Sequence, residues 1–86
     1  MTTKIRVTVR YFASIREALG IGSEAVSTAS KTVDELRDEL LLRGDAYVCL
    51  AREKTLRTAL NEVMCDGKTL LADGCTVAFF PPVTGG

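Results

Sequence analysis

The stretch FFPPVTGG, residues 79–86, holds the least ordinary functional group in the sequence: the α-carboxylate of Gly86, preceded by a second glycine. Lacking a Cβ, Gly85 and Gly86 fit a channel too narrow for other residues. A carboxylate is a poor acyl donor until an activating enzyme converts it to an acyl-adenylate. The carbonyl of Gly86 would then stand unshielded before a sulfur nucleophile. Pro81-Pro82 favours an extended lead-out, and six residues at about 3.3–3.6 Å each reach roughly 20 Å, enough to enter another protein's active site. The competing reading is a fraying chain end without a role.

The remaining side chains offer little catalysis. There is no G-x-S-x-G, no phosphate-binding glycine loop and no metal-ligand cluster. Histidine is absent, and Cys49, Cys65 and Cys75 are scattered without a C-x-x-C. A structural zinc site needs four ligands, which three such thiols do not supply. They read as inert or semi-buried thiols of a reducing cytosol, with a redox or sulfur-handling role as the alternative. Without a histidine partner a conventional thiol enzyme is disfavoured. The acidic residues of VDELRDEL have the spacing of a solvated helix face rather than of a general acid–base pair.

Lys plus Arg and Asp plus Glu each number 11, so the chain lacks the basic excess of a nucleic-acid binder. No run approaches the roughly 20 apolar residues of a membrane span, and MTTKIRVTVR has no secretory apolar core. The expectation is a cytoplasmic protein with no membrane or nucleic-acid partner. At 86 residues and 47% apolar content, one independently folding domain is expected, with residues 1–80 as the domain and 81–86 as an extended tail.

To position that tail, the domain must end in a strand. KIRVTVRY alternates Ile5, Val7, Val9 and Tyr11 with Lys4, Arg6, Thr8 and Arg10, the period of a half-buried strand. FASIREALGIG predicts a short helix, with Ser14 and Glu17 as a capping box and Gly20 and Gly22 as the stop. SEAVSTAS predicts an edge strand. TVDELRDELLLRG predicts the main helix, capped by Thr32 and Glu35, lined by Val33, Leu36 and Leu40, and closed by Gly44. DAYVCLARE predicts a further short helix with Tyr47, Leu50 and Ala51 inward. LRTALN and VMC read as short strands about an Asn61-Glu62 turn, and Asp66-Gly67 and Asp73-Gly74 as turns bracketing Leu70-Leu71. CTVAFF is the last strand, with Val77 and Phe79 inward, Phe80 on the opposite face, and Pro81-Pro82 ending it. One amphipathic helix must lie across a sheet, so the fold class is two-layer α+β, with the first and last strands at the sheet's centre.

These segments carry a resemblance. The ending VAFFPPVTGG resembles that of the small subunits of molybdopterin synthase, the MoaD family. YFASIREALG, TVDELRDEL, ALNEVM and LADGCTVAFFPP are similar to that family's other segments, in order over essentially the whole chain. The resemblance implies a ubiquitin-like β-grasp, a mixed sheet of about four or five strands under one main helix, working as a sulfur carrier. It implies that Gly86, with Gly85, is adenylated by a MoeB-type enzyme using ATP, then converted to a thiocarboxylate. No cofactor would be permanently bound. The tail, through Pro81, Pro82, Val83 and Thr84, would enter a MoaE-type large subunit that builds the dithiolene of molybdopterin from cyclic pyranopterin monophosphate. The chain would be the sulfur-donating part of a heterotetramer of two small and two large subunits, the catalytic pocket lying on the partner. The resemblance also implies docking through Phe12, Met64 and Phe80. Met64 stands where leucine is expected, a size-conserving change. Two readings stay open beside it: a related carrier or ubiquitin-like modifier serving thiazole synthesis or tRNA thiolation, and a non-enzymatic β-grasp adaptor.

Overall fold

The computed structural model describes residues 3–51 and 55–82. Eight elements follow in chain order: β1 (Ile5–Tyr11), α1 (Ala13–Leu19), β2 (Ser23–Thr28), α2 (Val33–Leu41), a 3-10 helix (Asp45–Leu50), β3 (Arg57–Leu60), β4 (Val63–Cys65) and β5 (Thr76–Phe80). The five strands form one mixed sheet in the order β2-β1-β5-β3-β4. β1 and β5 run parallel at its centre, and the other pairs are antiparallel. This is the β-grasp arrangement.

Period-two alternation decides which face of the sheet is dry. Val7, Val9, Tyr11, Val77 and Phe79 point inward and are buried, and Val33, Leu36 and Leu40 of α2 belong to the same core. Each such side chain contributes about 1.5–3 kcal/mol, while a domain's net stability is only about 5–15 kcal/mol. A single large truncation in the β1–β5–α2 layer therefore consumes much of the margin.

The helix ends follow local chemistry, with two departures from expectation. At α2 the Thr32 hydroxyl accepts the Glu35 N–H at 3.2 Å, and the Glu35 carboxylate reaches back to the Lys31 N–H at 3.1 Å, one residue earlier than in a standard box. The loop after β4 completes this end: the carbonyls of Gly67 and Thr69 accept from the N–H groups of Asp34 and Val33. A Cβ on Gly67 would collide with the Asp34 carboxylate, so any other residue there would force that side chain to move. At α1 the Ser14–Glu17 box does not form, because the N-cap is Phe12, without a side-chain cap. The Phe12 N–H instead extends the sheet ladder to the Phe79 carbonyl at 3.2 Å. The chain then turns at Ala13, whose φ is 50°, and Ser14 falls inside the first turn. Gly20, with φ 76°, stops α1 as expected. Gly44 does not cap α2. The last turn tightens through Arg43 N–H to Leu40 and Gly44 N–H to Leu41, the C-cap is Leu42, and Gly44 opens the 3-10 helix.

Arg37 lies on the inner side of α2 rather than on its solvated face. It is buried, and its guanidinium donates to the carbonyls of Leu50 at 2.5 Å and Ala51 at 2.6 Å. The cation thus fixes the end of the 3-10 helix to α2. Hydrogen bonds from a charged donor to buried carbonyls are worth about 1.5–3 kcal/mol each. Arg37→Ala is expected to destabilise the domain by about 3 kcal/mol and lower its thermal midpoint by roughly 10–20 °C. A calorimetric shift under about 3 °C would mean that water replaces these bonds without loss.

A second clasp holds the same 3-10 helix through Tyr47. The Glu24 carboxylate on β2 accepts from Tyr11, Tyr47 and Arg43, each at 2.8 Å. Burial pushes this carboxyl up, but the bonds from Arg43, Tyr11 and Tyr47 outweigh it and hold Glu24 below the usual carboxylate range. Burial, reinforced by the bond to Glu24, raises the Tyr11 phenol. The cluster ties β1, β2 and the 3-10 helix together.

Candidate functional site: an outer-sheet face beside the tail

The face of the sheet opposite α2 is built by the residues that alternate with the core. Register brings them together. Arg10 lies beside Ala78, Ala78 beside Ala59, and Ala59 beside Met64, forming a row across β1, β5, β3 and β4. Since Tyr11 pairs with Phe79 in the parallel β1–β5 ladder, the next residues, Phe12 and Phe80, meet on the outer side. Their ring centroids are 5.3 Å apart at 54°, the tilted geometry favoured by aromatic quadrupoles. Two alanines in the row leave a depression between larger neighbours. The groove has a volume of about 210 Å³ and is walled by Phe12, Phe80 and Met64 over Ala59 and Ala78.

Phe12, Met64 and Phe80 are thus brought to one face. Met64 is 54% exposed, and Phe12 and Phe80 are half-buried, so none belongs to the sealed core. Phe80 leads directly into Pro81, half-buried, and Pro82, exposed. Val83, Thr84, Gly85 and Gly86 lie outside the described residues.

Side chains not singled out from the sequence complete the rim. Arg10 stacks over the Phe12 ring, its guanidinium carbon 5.1 Å from the ring centroid. Glu62 lines the groove from the β3–β4 turn. That turn takes positive φ at both central residues, 50° at Asn61 and 71° at Glu62, as a tight hairpin demands. Asn61 locks it against β5 by donating its N–H to the Thr76 carbonyl at 2.8 Å and accepting the Thr76 N–H at 2.9 Å. The parity of KIRVTVRY already turned Arg10 outward; the cross-strand register that puts Glu62 over the same groove is not a local signal.

The thiols do not converge on this face. Cys75 is buried in the core, and Cys65 is half-buried with its thiol 3.6 Å from the Thr58 hydroxyl. Cys49 lies near Pro81 and Pro82, lining an apolar groove with Ile15, Val48 and Leu56. Burial pushes its thiol up, away from the reactive thiolate. Among the described residues no three His, Cys, Asp or Glu side chains are grouped to hold a metal ion, and no helix is long and apolar enough to cross a membrane.

Sheet order, main helix and outer-face groove define a ubiquitin-like β-grasp domain with an apolar surface at the base of its C-terminal extension. Comparison with known proteins agrees. The profile of the ThiS family matches residues 9–86. The molybdopterin synthase sulfur carrier subunit of Escherichia coli (strain K12) is 35% identical over 80 residues, covering 93% of this chain and 99% of that one. In a solved protein–protein complex of subunits 1 and 2 of the molybdopterin-converting factor from Helicobacter pylori 26695, one chain is 29% identical with a TM-score of 0.63, over 95% of this chain and 100% of that one. The small archaeal modifier protein 1 of Methanosarcina acetivorans shares the fold at 23% identity and a TM-score of 0.75, over 98% and 99% of the two chains. The chain belongs to the ThiS family.

Proposed function

We propose that this protein is the sulfur-carrying small subunit of a molybdopterin synthase, donating sulfur from a thiocarboxylate at Gly86. The observation that carries this reading is the junction of the outer-sheet groove with the tail: Phe12 and Phe80 sit where β5 passes into Pro81-Pro82, four residues before Gly85-Gly86 end. A partner gripping the groove gains the tail as a probe of roughly 20 Å. The likeness to the E. coli sulfur carrier over nearly the full length supports the same reading, and the H. pylori complex supports a large-subunit partner.

The chemistry needs nothing from this chain's side chains. A MoeB-type enzyme activates the Gly86 carboxylate with ATP: a carboxylate oxygen attacks the α-phosphorus and pyrophosphate leaves. A sulfur donor then displaces AMP at the acyl carbon. Gly85 and Gly86 present that carbon without steric shielding. In the MoaE-type large subunit the thiocarboxylate sulfur bonds to cyclic pyranopterin monophosphate, and water then cleaves the acyl–sulfur bond, so the carboxylate returns for another cycle. On this reading the working assembly is a heterotetramer of two small and two large subunits.

The test is where the sulfur goes. With ATP, a MoeB-type enzyme and a sulfur donor, the intact mass is expected to rise by the difference between sulfur and oxygen, and fragmentation to place it on Gly86. A variant with Cys49, Cys65 and Cys75 replaced by Ser or Ala is expected to load equally, once its folding is verified. Sulfur mapped to a cysteine, or loading lost in the folded cysteine-free variant, would overturn the thiocarboxylate mechanism. A carrier or modifier for another pathway would load in the same way yet fail to bind the large subunit, and an adaptor would not be adenylated.

A further inference from the structure

The groove is apolar along its floor but not around its rim. Arg10 stands on the β1 side of β5, and Glu62 on the opposite side, in the β3–β4 turn. Both side chains are exposed and both line the groove, with Thr76 of β5 between them. No ion pair joins the two. The face of β1 adds Arg6, also exposed, and Arg57 pairs beside Phe80 on β3. The charged residues that line the groove itself are Arg10 on the β1 side and Glu62 on the β3–β4 side, with Arg57 beyond the lining on the Glu62 side.

We infer that Arg10 and Glu62 are specificity determinants of this docking face. They select a protein segment that inserts an apolar side chain over Ala59 and Ala78, places a carboxylate against Arg10 and sets a cation against Glu62. The inference rests on the small-subunit reading, whose large subunit is the partner concerned. Charge complementarity is what commits the groove to such an occupant. Glu62 repels a phosphate backbone, and the Phe12 ring face that a base would stack on is already covered by Arg10. The depression accepts one side chain of aliphatic size between two aromatic rings and Met64. Opposite charges across β5 then fix the direction in which the segment lies. Rim charges of this kind act mostly on encounter rate and partner choice, and salt screens them over about 8–10 Å.

The experiment measures association with the large subunit at low and at high salt for wild type, Arg10→Gln, Arg10→Glu and Glu62→Arg. Thermal midpoints confirm folding; both positions are exposed, and the conservative Arg10→Gln keeps the test valid should a reversal disturb β1. Reversal at either position is expected to slow association at low salt about tenfold, with Arg10→Gln intermediate and the differences shrinking at high salt. If wild type binds and Phe80→Ala weakens it, but the charge variants associate at the wild-type rate at both salts, the rim has no selective role while the small-subunit reading stands. If wild type does not bind at all, both fall together. Self-association of the free chain that Arg10→Glu abolishes would assign the groove to a second copy and overturn this partner.

Discussion

Deleting Gly86 is expected to abolish sulfur loading and molybdopterin formation while leaving the thermal midpoint within about 2 °C of wild type, well under the 4–8 °C that 1 kcal/mol represents in a domain of this size. The expectation combines a packing observation with the proposed chemistry. The sheet's hydrophobic layer is complete at Phe79, the last fully buried residue described, and Pro82 is already exposed. Removing a residue four positions further on withdraws almost no apolar surface from the core. The proposed chemistry, in contrast, would have no substitute, because loading through a thiocarboxylate would need an acyl carbon at the right reach and free of a Cβ. Deletion shortens the reach by about 3.5 Å. A misplacement of even 1 Å in a positioned reaction costs about a hundredfold. Appending one alanine after Gly86 is the complementary change: it restores a carboxylate but moves it and adds a Cβ. Calorimetry and intact-mass analysis of both variants check the point. A midpoint several degrees lower would make the tail structural, and normal loading of either variant would remove the requirement for Gly86.

Much of the fold is legible where the physics is local. Period two in KIRVTVRY and CTVAFF assigns Val7, Val9, Tyr11, Val77 and Phe79 to the core and Phe80 to the outer face. The Thr32–Glu35 pattern marks the start of α2 because the cap bonds lie within one turn. The same pattern at Ser14–Glu17 misleads, since the Phe12 N–H is taken by β5, an element more than sixty residues away. Arg37 was open to recognition: it falls four residues after Val33 and three before Leu40, on the buried stripe, although its charge argues for solvent. What rescues the buried cation, the carbonyls of Leu50 and Ala51, comes from a separate element and leaves no local trace. The site divides in the same way. Outward parity in the last strand places Phe80, but Phe12 is the N-cap of α1 and joins it only through the β1–β5 pairing, and the row Arg10–Ala78–Ala59–Met64 exists only through the order β2-β1-β5-β3-β4. Its two alanines look unremarkable in sequence, yet they shape the groove.

The neighbouring phenylalanines at 79 and 80 provide the sharpest separation of folding from binding. Phe79 is fully buried and faces Tyr11, with ring centroids 6.4 Å apart, whereas Phe80 is half-buried on the outer face against Phe12. Phe79→Ala is expected to cost about 3–5 kcal/mol, a large part of the domain's whole stability. Phe80→Ala removes a partly solvated ring and one tilted aromatic contact, worth about 1 kcal/mol, so the midpoint falls by roughly 4–8 °C and the domain stays folded. On the partner's surface the balance reverses. An aromatic that completes its burial only on docking is a hot spot of about 2 kcal/mol or more, so affinity for the large subunit is expected to fall at least about thirtyfold. Phe12→Ala should act in the same direction, and the double variant should lose less than the sum, because each ring supports the other. Calorimetric titration of the folded Phe80→Ala domain against the large subunit decides the matter. If the variant loses as much stability as affinity, or binds like wild type, the outer-sheet face is structural rather than a docking surface.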